Sequence, residues 1–239
     1  MNNKLKKYKC DFHIHVKGDP KDRNLKYTIK QLIIEAEKQN FDILAVTNHC
    51  QIFDVSKYKK FAKKHNIFLV SGVEINIKLQ HVVVLFPHKS VLKVRTFSDL
   101  EKYKKKNKQS IVIAPHPYYK MPTCLGSNLE KNIQLFDAIE YCHFHINLFN
   151  WPNQRALKMA RKYNKAVVGN SDVHKMKFFG TTYTELLMPN ISAQNIKMAL
   201  SNNLNVKYIS DPIALFTAVY YISKSLLHCI FRKIFPFCK

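Results

Sequence analysis

The stretch CDFHIHVKGDP, Cys10 to Pro20, places two histidines and an aspartate at alternate positions inside an otherwise apolar run. In a β-strand alternate side chains share a face and sit about 7 Å apart along the chain. Read as a strand, the segment carries Asp11, His13 and His15 on one side and Cys10, Phe12, Ile14 and Val16 on the other. An ordinary opening strand buries valine, isoleucine and leucine. Imidazoles at this spacing can converge on one cation, provided neighbouring strands bring the remaining ligands. The chain must therefore fold so that several strand ends meet.

The rest of the sequence has the periodicity for that. Short Val/Ile/Leu-rich runs recur as YKCDFHI, FDILAVT, IFLVSGV, HVVVLF, SIVIA, FDAIEY and KAVVG. Between several of them lie amphipathic stretches at 28–39, 54–65 and 151–163, the last with Asn150 placed as N-cap and Pro152 near the first helical position. Alternation of this kind predicts an α/β protein with a mostly parallel sheet, whose strands are apolar on both faces because helices cover them. About seven such units are too many for a small open sheet and predict a TIM-like barrel, where chemistry gathers at the C-terminal ends of strands.

The unusual polar residues fall at those ends. AVTNHC puts His49 past the second run, GVEIN puts Glu74 past the third, and His81 opens the fourth. APHPYY puts His116 after the fifth, and NSDVH puts Asp172 and His174 after the seventh. Six of the eleven histidines thus lie at strand boundaries, beside acidic residues. Any one of them could be a hydrogen-bonded structural residue, Glu74 a lysine partner and Asp172 a turn cap. Independent accidents would not all land at one end of a sheet. Imidazole with carboxylate suits zinc, manganese or iron rather than the all-oxygen cage of calcium.

The order HxH, TNH, GVE, H, PHP and NSDVH resembles the polymerase and histidinol phosphatase (PHP) superfamily of metal-dependent phosphoesterases. The likeness runs from Cys10 to His174, continues more weakly to Tyr208 and leaves the C-terminal segment uncovered. It implies a distorted (β/α)7 barrel with two or three divalent metal ions, manganese, zinc or iron, or magnesium, in a cleft at the strand ends. By that likeness His13, His15, Glu74 and Asp172 hold a first metal, and Glu74 bridges to a second completed by His81 and His116. A third takes His49, His174 and an acid from the first loop, Asp19 or, as its substitute, Asp22. The family's TDH becomes TNH here, so that Asn48 replaces a charged partner expected to orient His49. A second HxH, His143 and His145, has no family counterpart and is read as cleft lining, substrate contact or structure.

The reaction this implies is hydrolysis of a phosphate ester by a metal-bound hydroxide in a di- or trinuclear site, with His49, His174 and Asp172 as catalytic residues. Ser171 has no triad partners and is not read as a nucleophile. The net charge of +23, from 39 Lys+Arg against 16 Asp+Glu, favours a polyanion such as an oligonucleotide or nucleotide. The plain alternative is a set of solvated helix faces in the runs KYKKFAKKH and EKYKKKNK. Lys17, Lys120, Arg155 and Lys175 near the motif loops are candidates for a second phosphate, and Tyr118 and Tyr119 for a base. A histidinol-phosphate-like monoester phosphatase and a non-catalytic nucleic-acid-binding module are the competing readings.

Residues 1–210 are expected to form the PHP-like domain. Residues 211–239 are expected to form an apolar, basic C-terminal helix, either docked or lying on an anionic membrane surface; their apolar run is too short to span a bilayer. Six cysteines without a CxxC pair, and an N-terminus without an apolar signal core, predict free thiols and a cytoplasmic protein, peripheral to the membrane if that helix binds lipid.

Overall fold

All seven apolar runs become strands in the computed structural model, which describes residues 4–217. They are β1 (Lys6–Ile14), β2 (Ile43–Val46), β3 (Phe68–Ile77), β4 (Gln80–Leu85), β5 (Ile111–Ala114), β6 (Ala138–Cys142) and β7 (Ala166–Asn170). Two more, β8 (Thr182–Met188) and β9 (Val206–Ser210), escape the apolar-run pattern because TYTELLM and VKYIS mix polar with apolar residues. The helices are α1 (Ile29–Lys38), α2 (Lys59–Lys64), α3 (Phe97–Lys106), α4 (Ser127–Lys131), α5 (Trp151–Lys162) and α6 (Ala193–Ser201).

Local chemistry sets the helix starts. Thr28 and Gln31 close a capping box on α1, which then buries Ile29, Leu32, Ile33 and Ala36 along one face. At α5 the expected cap is not made: Asn150 turns its amide to the Tyr141 hydroxyl at 2.6 Å, and Pro152 alone marks the first turn.

The nine strands form one sheet in the order β7-β6-β5-β4-β3-β2-β1-β8-β9. Strands β1, β2 and β3 run parallel, as do β5, β6 and β7, but β4 is antiparallel to both of its neighbours. Its direction follows from chain length. Only Lys78 and Leu79 separate β3 from β4, with Lys78 at φ 58°, and a two-residue turn can join only antiparallel strands.

The sheet curls until β7 meets β1 and β8. The Phe12 amide donates to Asn170 Oδ1 at 2.9 Å, Ile14 bridges Val173, and the Thr184 hydroxyl donates to the Gly169 carbonyl at 2.8 Å. Gly169 is the tight point of this seam, since a Cβ there would lie 2.6 Å from the Tyr183 carbonyl oxygen. Gly169→Ala should therefore destabilise the barrel by about 2 kcal/mol, lowering Tm by several degrees in a thermal melt. An unchanged Tm would mean that the seam yields freely.

Inside the barrel, Cys10, Phe12, Ile43, Ala45, Val70, Val83, Leu85, Ile113, Ala138, Val168 and Leu186 fill one apolar cluster, closed at one end by Ile196 and Leu200 of α6. Outside, Ile14, Val16, Leu44 and Val46 pack under α1 and α2. The strict alternation expected along β1 therefore fails. The β1–β2 register shifts between Asp11 and Ile14, and the irregularity turns His13 and His15 inward while Ile14 and Val16 face the helices. Extra residues of this kind re-aim side chains at barrel rims. Asp11 Oδ1 holds the turned backbone by accepting the His13 amide at 3.1 Å.

The expected C-terminal helix falls mostly on residues 218–239, outside the described part. Among the described residues no helix is long and apolar enough to cross a membrane.

Candidate metal centre

At the C-terminal ends of the parallel strands the apolar interior gives way to a buried polar layer. Glu74 lies within β3 rather than past it, because the strand runs on to Ile77 and turns into β4. Its carboxylate reaches five imidazoles: His13 at 3.5 Å, His15 at 3.5 Å, His49 at 3.0 Å, His81 at 2.7 Å and His116 at 3.5 Å. Asp172 Oδ1 faces His13, His15 and His174 at 3.4, 3.3 and 3.4 Å. The Nε2 atoms of His13 and His15 are 3.2 Å apart. His81 belongs here because β4 is antiparallel, which brings the first residues of that strand to the rim where the other strands end.

Behind the imidazoles stands a second set of acids. Glu140 of β6, fully buried, accepts from His13 Nδ1 at 2.8 Å, from the Asn170 amide at 3.0 Å and from the His116 backbone N–H at 3.2 Å. Asp19 meets the Nδ1 atoms of both His15 (2.8 Å) and His49 (2.9 Å) and accepts the His49 backbone N–H. Asp22 meets His174 Nδ1 at 2.8 Å. Carboxylates on the far nitrogen fix the tautomer and the orientation of an imidazole. The neutral Asn48 does not deprive His49 of a charged partner, since Asp19 fills that place. Asn48 instead clamps the Val16 backbone, accepting from its N–H at 2.9 Å and donating to its carbonyl at 3.3 Å.

Backbone strain is concentrated in the same place. His116 (φ 29°) and Asp172 (φ 42°) both occupy the left-handed region, at a cost on the order of 1–3 kcal/mol each. The Glu140 bond to the His116 amide helps to hold the first of them.

The protonation pattern follows from this crowding. Burial alone would lower the His13 imidazole, yet Asp172, Glu140 and Glu74 together raise it well above its ordinary value. Burial likewise opposes a charge on His49, but Asp19 and Glu74 bring it up to about 9. Burial would raise the carboxyls of Glu74 and Asp172; the histidines around them prevail and hold both well below the carboxylate range. His81 goes the other way, lowered by burial.

Four groups of three in this layer have donor atoms close enough to share a cation: His13, His15 and Glu74; His15, Asp172 and His174; His15, Asp19 and His49; and His49, Glu74 and His81. The fit has a direct sign. Glu74 Oε1 and His81 Nδ1 are buried and 2.7 Å apart, yet neither makes a hydrogen bond. Buried polar atoms left unpaired in this way are rare and costly, and a carboxylate oxygen beside an imidazole nitrogen is a donor pair that a divalent cation satisfies.

The structure thus brings together all nine residues expected from the sequence as metal ligands: His13, His15, Asp19, His49, Glu74, His81, His116, Asp172 and His174. It does not treat the expected substrate contacts alike. Lys17 and Lys175 are exposed beside the cluster loops. Tyr118 is buried in the outer core with the Arg155 guanidinium 4.4 Å from its ring centroid, so it has no open face on which a base can stack. Tyr119 donates its hydroxyl to the Phe144 carbonyl. His145 bonds Ser210, whereas His143 is buried against Phe178 with its Nδ1 unpartnered, and burial lowers it to about 4. Ser171 is fully buried and donates to Asp11, which leaves no free hydroxyl for attack. The sequence reading misses Glu140. Its only signal is one acid in the middle of an otherwise apolar strand, and burial on both faces is what makes that acid informative.

A family model for the PHP domain matches residues 11–171. The chain belongs to the PHP family of metal-dependent phosphoesterases. A second model, described as PHP-associated, matches residues 150–203 and so takes in α5, β7, β8 and α6. An uncharacterized protein of Methanocaldococcus jannaschii is 29% identical over 129 residues, covering 51% of this PHP chain and 74% of the relative. Among solved structures, PsfC of Pseudomonas syringae superposes with a TM-score of 0.64 at 16% identity, over 92% of this chain and 97% of that one. The lesion-specific endonuclease EndoQ of Pyrococcus furiosus gives 0.60 at 12% identity, over 85% of this chain and 58% of its own. Both likenesses are of fold.

Proposed function

We propose that this PHP protein hydrolyses phosphate esters of a nucleotide or oligonucleotide at a centre of two or three divalent cations. The observation that carries the reading is Glu74, one buried carboxylate within reach of five imidazoles, with one oxygen unpaired beside the unpaired His81 nitrogen. His13, His15, Glu74 and Asp172 would hold one cation, Glu74, His81 and His116 a second, and His49, His174 and a loop carboxylate a third. Cations bound there would neutralise phosphoryl oxygens and make water acidic enough to attack at neutral pH.

The chain's own part is to position and to move protons. Glu140 would orient His13 through its Nδ1 atom, and the loop carboxylate that is not a ligand, Asp19 for His15 and His49 or Asp22 for His174, would orient its histidines in the same way. His174 is the most open of the cluster histidines, its side chain 39% exposed. Burial opposes its charge, but Asp172 and Asp22 raise its pKa, so where it is not a ligand it is suited to protonate the leaving oxygen. The catalytic unit in this reading is residues 1–210, with 211–239 as an appendage. The polyanionic substrate is supported by the net charge of +23, and at the level of fold by a neighbour that is itself an endonuclease.

Metal-free protein re-supplied with manganese should hydrolyse a synthetic phosphodiester, and the matching monoester less well. Preference for the monoester would make the protein a phosphatase. Silence on both with metal bound would overturn the reading. Glu140→Gln keeps volume but weakens the hold on His13 and His116, so metal affinity should fall roughly 10- to 100-fold in a metal titration. An unchanged affinity would remove Glu140 from the positioning set.

A further inference from the structure

Next to the cluster lies a pocket of about 290 Å³ lined by three cations, Lys21, Lys78 and Arg95, together with Cys50 and Asn76, over a floor that includes Ile75. Its walls are built on the same backbone as the cluster. Cys50 follows His49, Ile75 and Asn76 follow Glu74, and Asn76 stands opposite His81 across the hairpin. Lys21 donates its backbone N–H to Asp19 Oδ1 at 2.8 Å. Alternate strand residues share a face about 7 Å apart, so Asn76 stands on the Glu74 face of β3, opposite His81, and brings the pocket beside the candidate ligands.

Its charge is one-sided. No carboxylate lines it, and among the described residues none of the three cations forms a side-chain ion pair. Lysines on α3 differ, because acids stand beside them: Lys104 pairs with Asp137, Lys105 pairs with Glu101, and the pocket lined by Lys102 and Lys106 also holds Asp99. Two of the three cations are also anchored. Lys21 Nζ donates to Asn76 Oδ1 at 2.6 Å, and Arg95 Nη1 donates to the Leu92 and Val94 carbonyls at 2.8 Å each. A guanidinium has five N–H donors, and these two bonds leave three of them. Cations held in a concave site without a counter-charge suit an anion, and the anion available to a phosphoesterase is another phosphate on its substrate.

We propose that this pocket binds a non-scissile phosphate of the molecule whose scissile phosphate lies at the metal cluster. The proposal rests on the phosphoesterase reading of that cluster. The second phosphate has two chemical sources, the next phosphodiester of an oligonucleotide strand or the second phosphate of a nucleoside bisphosphate.

The test compares manganese-loaded full-length protein with its K21Q/K78Q/R95Q variant on three substrates: bis(p-nitrophenyl) phosphate, an oligothymidylate and a nucleoside 3′,5′-bisphosphate. The ratio of kcat/KM on a multi-phosphate substrate to that on bis(p-nitrophenyl) phosphate should fall roughly tenfold or more in the variant, mainly through KM. A fall confined to the oligonucleotide identifies a strand, and one confined to the bisphosphate identifies a small molecule. Equal loss on all three substrates, or no loss, overturns the proposal.

A second readout does not depend on turnover. Alkylation of the exposed Cys50 by iodoacetamide, followed by peptide mass mapping, should be slowed by inorganic phosphate in the wild type but not in the variant. Protection that survives in the variant, or is absent from the wild type, overturns the pocket. If the wild type hydrolyses none of the three substrates, the catalytic reading fails, and the alkylation result alone decides the pocket.

Discussion

Glu74→Ala is expected to cut metal-dependent hydrolysis by roughly 10³-fold or more and to strip the protein of tightly bound metal. No other acid among the described residues reaches five imidazoles, so no other side chain can take its place. The loss has two parts. A bridging ligand disappears, and the charge that balances the raised imidazoles of His13, His49 and His116 goes with it. Glu74→Gln separates the two, since it keeps the volume and one acceptor while removing the charge. Elemental analysis of bound manganese beside a hydrolysis assay, with near-ultraviolet circular dichroism as the check on folding, reads the result. A folded Glu74→Ala protein that retains metal and activity would sink the site assignment.

Metal affinity should rise steeply with pH. His13, His49, His116 and His174 all have raised pKa values, so at pH 7 the metal-free cluster carries protons that a cation must displace. Below the imidazole pKa, each displaced proton gives about tenfold in affinity per pH unit, so two of them give about 100-fold between pH 6 and 7. The dependence should flatten above about pH 9, the value to which Asp19 and Glu74 bring His49 against the effect of its burial. The same shifts govern the stability of the metal-free fold. A raised imidazole contributes stability that is fully present below the ordinary histidine value near 6.5 and is lost as pH climbs through about 9. The depressed Glu74 and Asp172 contribute stability that is present above the ordinary carboxylate range and is lost as pH falls through their lowered values. Binding titrations at pH 6, 7 and 8 in buffers of different ionisation enthalpy would measure the released protons, and a pH-independent affinity would contradict the protonation pattern.

Much of this site is legible in the residues themselves. The nine expected ligands are chemically conspicuous where they stand, since histidine and acid at the edge of a Val/Ile/Leu run have no ordinary packing reason to be there. Tyr118 was less legible. Beside His116 it looks like a stacking platform, but a tyrosine is as good a core residue as a surface one, and here the ring is buried beneath Arg155. Glu140 is the opposite case, a residue within a strand whose role depends wholly on the His13 and His116 that the fold lays against it.

By itself the sequence determined the type of architecture and the chemistry of the rim. Apolar runs of strand length between amphipathic segments can bury their surface in few other ways, and the imidazole and carboxylate content is independent of geometry. Tertiary structure alone decided which atoms meet. The two-residue turn at Lys78 and Leu79 reverses β4 and delivers His81 to the rim. The irregularity after Asp11 turns His13 and His15 inward against the parity of the strand. Closure of β7 onto β1 sets Asp172 against both histidines. Each of these is a contact across a sheet or a barrel seam, made by the backbone and not written in any one side chain.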